Sequence, residues 1–539
     1  MSTLESPENA TDQVTISRRG ALAGGAALVG GAALIGPAAP AHASPTSPLL
    51  WSRPGASGAP DVHGLHLQFG ADAAREVVVS WSTPAAVGNP RLMLGTLHGG
   101  YGRQVQARTI TYRDAASGYE VFIHHAKVGG LVPGTEYIYA ALHDGATPQP
   151  GLFRTAPRGR APFTFTSFGD QGTPTVGKLY TPPPGVTLPS IPYVNDNLGS
   201  PAAGDVVAGV ERVAPLFHLV NGDLCYANIA TDRVRTWSDW FTNNSRSARF
   251  RPWMPAAGNH ENELGNGPIG YGAYQSYFAL PDVGGDAETR GLWYSFTVGS
   301  VRVISLNNDD VCYQDGGNSY VHGYSGGAQK RWLEAELKRT RDDRSIDWIV
   351  VVMHQVVIST VDKFNGADRG IREEWVPLFD KYGVDLVVCG HEHHYERSHP
   401  IRGQQPNDTL TPIPVDTRTD VVDTSRGTVH MVLGGGGTSA PSNALFFDPI
   451  ACRVITGVGP VGANGKRPPI YVHEDAPWSA NRDKEHAYGF AAFTVDPGDR
   501  PGGRTSIDVT YYAVTGPFGA LTPVDRFTLV RPRRDGGHR

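Results

Sequence analysis

Between residues 59 and 157 apolar side chains recur at every second position. Leu65, Leu67 and Phe69 alternate with other residues, as do Val77, Val79 and Trp81, then Ile110 and Tyr112, then Tyr137 and Tyr139, with turn residues between the runs. A period of two places alternate side chains on one face of a strand, so the spacing predicts about seven short strands folded as a β-sandwich. Beyond 158–162 the pattern changes. Apolar runs at 163–168, 216–220, 301–306, 348–353 and 384–389 are interleaved with stretches of helical period. One predicted helix spans 329–340 with Trp332, Leu333 and Leu337 on one face. A second spans 371–382 with Trp375, Leu378 and Phe379 on one face and Gly383 as its stop. Strand alternating with helix over 162–530 predicts an α/β layer domain, in which ligands gather outside the carboxyl ends of the strands.

Composition narrows the class. The 539 residues include 66 glycines and 42 prolines, only 18% are charged, and the net charge is -5. This describes a loop-rich globular protein with enough apolar content (40%) to build cores. Its charge excludes nucleic-acid binding through bulk phosphate attraction. The first 43 residues read as an address: Ser17-Arg18-Arg19 precedes a glycine-diluted apolar stretch and Ala41-His42-Ala43, followed by a Pro/Ser/Gly linker over 44–58. The segment resembles a twin-arginine export signal, although Ala21 stands where an aromatic is often found. It is too short to span a membrane, and no later run of 18 apolar residues exists, so a secreted, extracytoplasmic protein without a membrane span is expected. In an oxidising compartment Cys312 and Cys452 are the expected disulfide pair, because Cys225 and Cys389 sit inside motifs and read as small buried residues.

Five predicted strand ends carry metal-competent side chains: Gly169-Asp170; Gly222-Asp223 with Tyr226 three residues on; Gly258-Asn259-His260-Glu261; His354; and Gly390-His391-Glu392-His393-His394-Tyr395-Glu396-Arg397. Carboxylate, imidazole and phenol donors suit iron, zinc or manganese, whereas a thiolate set would suit structural zinc. His63, His66, His124 and His125 in the amino-terminal half read instead as strand histidines without catalytic partners.

These motifs resemble the metallophosphoesterase superfamily and, through Tyr226 and the run Gly390 to Arg397, the purple acid phosphatases. The segment Leu131-Val132-Pro133-Gly134-Thr135-Glu136-Tyr137 resembles the corner of a fibronectin type III domain in which a tyrosine hydroxyl ties back to the backbone. The resemblance implies a fibronectin III-like sandwich followed by an α/β metallophosphatase domain of two packed sheets flanked by helices. It implies that Asp170, Asp223, Tyr226 and His393 hold one metal and that Asp223, Asn259, His354 and His391 hold the second, with Asp223 bridging. It further implies iron(III) at the tyrosine site with a divalent iron, zinc or manganese ion beside it. On this basis the expected activity is hydrolysis of small phosphate monoesters by in-line attack of a metal-bound hydroxide, with His260 as donor to the phosphate or leaving oxygen and Glu261 as the residue that fixes His260.

Two further readings share these residues. One is a phosphodiesterase or nucleotidase on the same core, since the ligands do not report the number of ester bonds. The other is an extracellular binding protein with a structural metal centre. Plant-type members carry a further imidazole pair after the fourth motif, where this chain offers Lys363, Asp368 and Arg369. Gly434 to Gly437 reads as a strand-to-loop bend beside the metal sheet, and Gly465-Lys466-Arg467 lacks the glycine and hydroxyl positions of a phosphate-binding loop. The proline-rich stretch 171–204, inserted after Asp170, is expected to form a substrate-shaping rim offering Tyr180 and Tyr193.

Overall fold

The computed structural model describes residues 58–173, 178–179, 193–194, 198–317, 319–516 and 518–536. The export signal, the linker up to residue 57 and most of the expected rim therefore lie outside the described residues. Residues 52–539 belong to one compact unit.

The period-two segment forms eight strands where about seven were expected. They pair as two antiparallel sheets, His63–Phe69, Val77–Thr83, Glu120–Val128 and Arg108–Arg113 in one, and Gly100–Gln106, Arg91–Thr96, Glu136–Leu142 and Gln149–Arg154 in the other. Leu67, Phe69, Val79, Trp81, Leu92, Leu94, Tyr139 and Phe153 fill the space between them and are fully or nearly fully buried. The tyrosine corner is present: the Tyr137 hydroxyl accepts the Val132 N–H at 2.9 Å.

The remainder is built on two seven-stranded sheets. One orders Trp253–Ala256, Phe217–Asn221, Phe163–Phe168, Gly489–Asp496, Arg504–Val514, Leu521–Pro532 and Val421–Asp423. The other orders Tyr294–Val298, Val301–Ser305, Trp348–Val352, Leu386–Cys389, Val429–Leu433, Tyr395–Ser398 and Ser479–Arg482. Their facing side chains form one apolar core, in which Phe165 stacks on Phe493 at 4.6 Å and Phe217 meets Phe296 of the opposite sheet edge-on at 5.6 Å. In both sheets the strands that precede the motifs run parallel, so their carboxyl ends emerge on one side.

The first predicted helix is Ala328–Asp342, with Leu333 and Leu337 buried. The second is broken at Trp375 into Arg369–Glu374 and Val376–Tyr382, because Pro377 has no N–H to continue the ladder. Gly383, in the left-handed region at φ 63°, does stop it. No described helix is long and apolar enough to cross a membrane. The expected Cys312–Cys452 disulfide is not formed: both cysteines are buried free thiols. Cys452 instead lies 3.8 Å from the Arg372 guanidinium, and burial pushes its thiol up to about 12, so it is inert as a nucleophile.

Candidate metal centre

The motif side chains converge where the parallel strands end. Asp170 follows Phe163–Phe168, Asp223 follows Phe217–Asn221, Asn259 follows Trp253–Ala256, His354 follows Trp348–Val352, and His391 and His393 follow Leu386–Cys389. Two donor groups result. In the first, the Tyr226 hydroxyl is 3.2 Å from His393 Nε2 and 3.4 Å from Asp170 Oδ1, and His393 Nε2 is 3.3 Å from Asp170 Oδ1. In the second, His354 Nε2 lies 3.0 Å from Asn259 Oδ1, 3.1 Å from Asp223 Oδ2 and 3.2 Å from His391 Nδ1.

Each histidine spends one nitrogen on an outer acceptor. His354 Nδ1 donates to the Asn221 carbonyl at 2.7 Å, His393 Nδ1 to the Ala440 carbonyl at 2.7 Å, and His391 Nε2 to Gln314 Oε1 at 2.6 Å. These bonds occupy the outer nitrogens and turn His354 Nε2, His393 Nε2 and His391 Nδ1 toward the other donors. Donor atoms gathered about 3 Å apart need positive charge among them, which a bound cation supplies or, without one, protons on the side chains. Asp223, His354 and His391 alone bring three ligand atoms within 4.8 Å of one another. The electrostatics agree. Burial opposes a charged His354, yet the Asp223 carboxylate overrides it and lifts the imidazole to about 10. Burial, then Asp170, hold the Tyr226 phenol well above its ordinary value, so a phenolate there requires a positive neighbour. The residues present therefore fit a metal centre.

Backbone geometry at these positions is costly. Asp170, Asp223, Tyr226 and His391 all adopt positive φ, between 51° and 70°. Such strain persists only where the surroundings overdetermine it, and it gathers at functional sites. Glycine is needed between the ligands for room: a Cβ on Gly258 would lie 2.3 Å from Asp223 Oδ1, and one on Gly390 would lie 2.3 Å from Asp170 Oδ2. The Gly434 bend also behaves as expected, since a Cβ there would meet the Glu392 carbonyl at 2.1 Å and Asp170 Oδ2 at 2.8 Å.

Glu261 does not touch the ring of His260. Its carboxylate accepts the N–H groups of Asp223, Leu224 and Gly258 at 2.9, 2.8 and 2.8 Å and so clamps the Asp223 loop. The residue that holds His260 is Asn228, whose Oδ1 is 2.8 Å from His260 Nδ1. Sequence reasoning missed Asn228, Gln314 and Phe364, whose ring packs edge-on 4.9 Å from His393. Lys363, Asp368 and Arg369 are engaged elsewhere. Lys363 is exposed beside Asp362, Arg369 pairs with Glu373 at 2.9 Å, and buried Asp368 accepts the N–H groups of Tyr313, Gln314 and Gly370. Tyr395 and Arg397 both bond Asp525 and belong to the scaffold.

Comparison with known proteins agrees with this geometry. The family described as Purple acid Phosphatase, N-terminal domain matches residues 62–155, and the family Calcineurin-like phosphoesterase matches 202–395. The chain is 65% identical over 490 residues, 91% of each chain, to a Mycobacterium tuberculosis protein named Uncharacterized protein Rv2577. It is 25% identical over 383 residues to the Fe(3+)-Zn(2+) purple acid phosphatase 12 of Arabidopsis thaliana, covering 70% of this chain and 72% of that one. The purple acid phosphatase PPD1 of yellow lupin shares the fold, with a TM-score of 0.63 at 21% identity over 88% of this chain and 75% of the other. With one family match on the sandwich and a second that contains every ligand candidate except Asp170, the chain belongs to the purple acid phosphatase-like branch of the calcineurin-like phosphoesterases and is a metal-dependent, dimetal phosphatase.

Proposed function

We propose that the protein is an exported phosphomonoesterase in which Asp170, Tyr226 and His393 hold one ion, Asn259, His354 and His391 hold a second, and Asp223 bridges the two. The observation that carries the reading is the set of three histidines, each held by an outer acceptor so that its remaining ring nitrogen faces the other donors. A paired centre supplies Lewis acidity toward phosphoryl oxygens and lowers the pKa of water, which suits in-line displacement at phosphorus. Tyr226 favours a trivalent ion, and the named iron-zinc relative supports iron(III) with a divalent partner.

The chain's own residues supply the rest. Asn228 accepts the Nδ1 proton of His260, so Nε2 is the nitrogen that meets substrate, where its protonated form donates to the phosphoryl or leaving oxygen. Glu261 keeps Asp223 in its strained conformation through three backbone hydrogen bonds. Export rests on Ser17-Arg18-Arg19 and Ala41-His42-Ala43.

Metal analysis combined with assays on a chromogenic monoester and its diester tests the proposal. The expected result is two bound ions, turnover of the monoester in excess of the diester, and a visible absorption band of the oxidised protein that vanishes in Tyr226→Phe. Preferential diester turnover would overturn the monoester assignment, and a colourless, fully active zinc or manganese protein would overturn iron(III).

A further inference from the structure

His394 directly follows the ligand candidate His393, yet it spends both ring nitrogens away from the converged donors. Nε2 is 3.0 Å from Glu396 Oε1, and Nδ1 is 2.9 Å from the Ser442 hydroxyl, which donates or accepts as the ring requires. Serine, imidazole and carboxylate in series are the parts of a hydrolytic triad. Here all three side chains are fully buried, so no substrate reaches the hydroxyl and the series does not serve as a nucleophile.

Ser442 ends a strap that starts at Gly434, just past the strand Val429–Leu433. The strap runs along the tyrosine side of the metal centre and is bonded to it repeatedly. Gly436 N–H donates to the Gly169 carbonyl at 2.9 Å, Thr438 N–H to the Asp170 carbonyl at 3.1 Å, and Ser442 N–H to the His393 carbonyl at 2.9 Å. Between the last two stands Ala440, whose carbonyl accepts from His393 Nδ1 at 2.7 Å.

The carboxylate end of the series is tied to a second loop. Glu396 Oε2 accepts the Thr360 hydroxyl at 2.8 Å and the Thr360 N–H at 3.1 Å. That loop also pairs with the chain just beyond the strap: Phe447 N–H donates to the Thr360 carbonyl at 2.9 Å, and Asp362 N–H to the Leu445 carbonyl at 2.7 Å. Two residues past Asp362, Phe364 packs edge-on against the His393 ring at 4.9 Å. His394 thus joins the two loops that touch the His393 ring, one through a carbonyl and one through an aromatic edge.

From this arrangement we infer that His394 is a positioning residue: through Ser442 and Glu396 it locks the loops that orient His393, and so sets how tightly the ion on the tyrosine side is held. A buried polar network whose members are all partnered rigidifies what it joins. The outer acceptor of a ligating imidazole governs its orientation and basicity, so a strap free to shift would loosen the ligand without removing it.

The inference rests on His393 being a ligand, and the test keeps the two apart. The purified protein is loaded with iron(III) and zinc, and release of each into a chelator is read by elemental analysis. In His393→Ala the iron should be lost and the zinc kept. Ser442→Ala removes one hydroxyl and leaves the backbone tie at that residue in place. In this variant and in His394→Gln, iron should leave at about 10-fold lower chelator concentration while the zinc midpoint stays where it is in the native protein. Iron release unchanged in both variants, or iron and zinc lost together as a general loosening of the fold would produce, would overturn the positioning role with the ligand intact. Iron kept at native strength in His393→Ala would overturn the ligand assignment itself, and the inference with it.

Discussion

Histidines serve opposite ends in the two halves of this molecule. In the sandwich, His124 donates through Nε2 to the Thr83 hydroxyl at 3.0 Å, because that hydroxyl gives its own proton to the Ala85 carbonyl, and Nδ1 accepts from Thr109 at 2.9 Å. His125 accepts from Ser80 at 2.8 Å and donates to the Ser276 carbonyl of the phosphatase half at 3.0 Å. Both nitrogens of both rings are satisfied, the rings are neutral, and burial lowers His124 to about 4 and His125 to about 3. At the metal centre the rings are equally buried, but one nitrogen of each faces two or more metal-competent side chains rather than a single partner. Burial therefore does not distinguish a structural histidine from a ligand. The partner of the second nitrogen does.

The comparison breaks first at Asp223. Asp223→Ala should abolish turnover and lower bound metal at both positions, read by elemental analysis of the purified protein. His260→Ala should reduce kcat by about 10² to 10⁴ while leaving metal content unchanged; equal metal loss in the two variants would remove the distinction between bridge and donor. A subtler test is Gln314→Ala, which removes the acceptor of the outer nitrogen of His391 together with the Gln314 bond to Asn365 at 3.2 Å. It should weaken metal affinity by about 10- to 100-fold in a chelator competition, because the outer acceptor sets the tautomer.

The smallest effect belongs to the sandwich. His124 and His125 have folded pKa values below the ordinary 6.5, so the unfolded chain binds more protons and stability falls as pH drops from about 6.5 toward 4. Urea denaturation at pH 7 and pH 5 should show this loss. In His125→Asn the slope between those pH values should shrink, with monoester turnover at pH 7 retained; an unchanged slope would show that the sandwich histidines are not the acid-sensitive groups.

How much of this was written in the residue order differs between levels. Strand and helix classes were legible because periodicity reports which faces are buried, and Asp170, Asp223, Asn259, His354 and His391 were legible because each stands at a strand end beside glycine or an apolar run, whereas Tyr226 and His393 were read from the family resemblance of their motifs. The partners of those ligands were not. Gln314 reaches His391 across 77 residues of chain, and the Ala440 and Asn221 contacts use backbone carbonyls, which have no letter in a sequence. Glu261 was misassigned because adjacency to His260 suggested contact, whereas in the short 3₁₀ turn Asn259–Glu261 it folds back onto the loop before it. Trp375 breaks its helix because Pro377 outweighs the apolar period around it.

The left-handed backbone at Asp170 and Asp223 also limits how this protein can change. Among non-glycine residues, short polar side chains such as aspartate and asparagine enter that region most readily, since they bond locally to the chain. A glutamate would keep the charge but add a carbon to a site already crowded by Gly258 and Gly390, and it would lack that local compensation. Drift away from catalysis should thus pass through Asp-to-Asn replacement, with the architecture kept and the charge discarded, and descendants of this fold that have lost the reaction should carry asparagine, not glutamate, at these two positions.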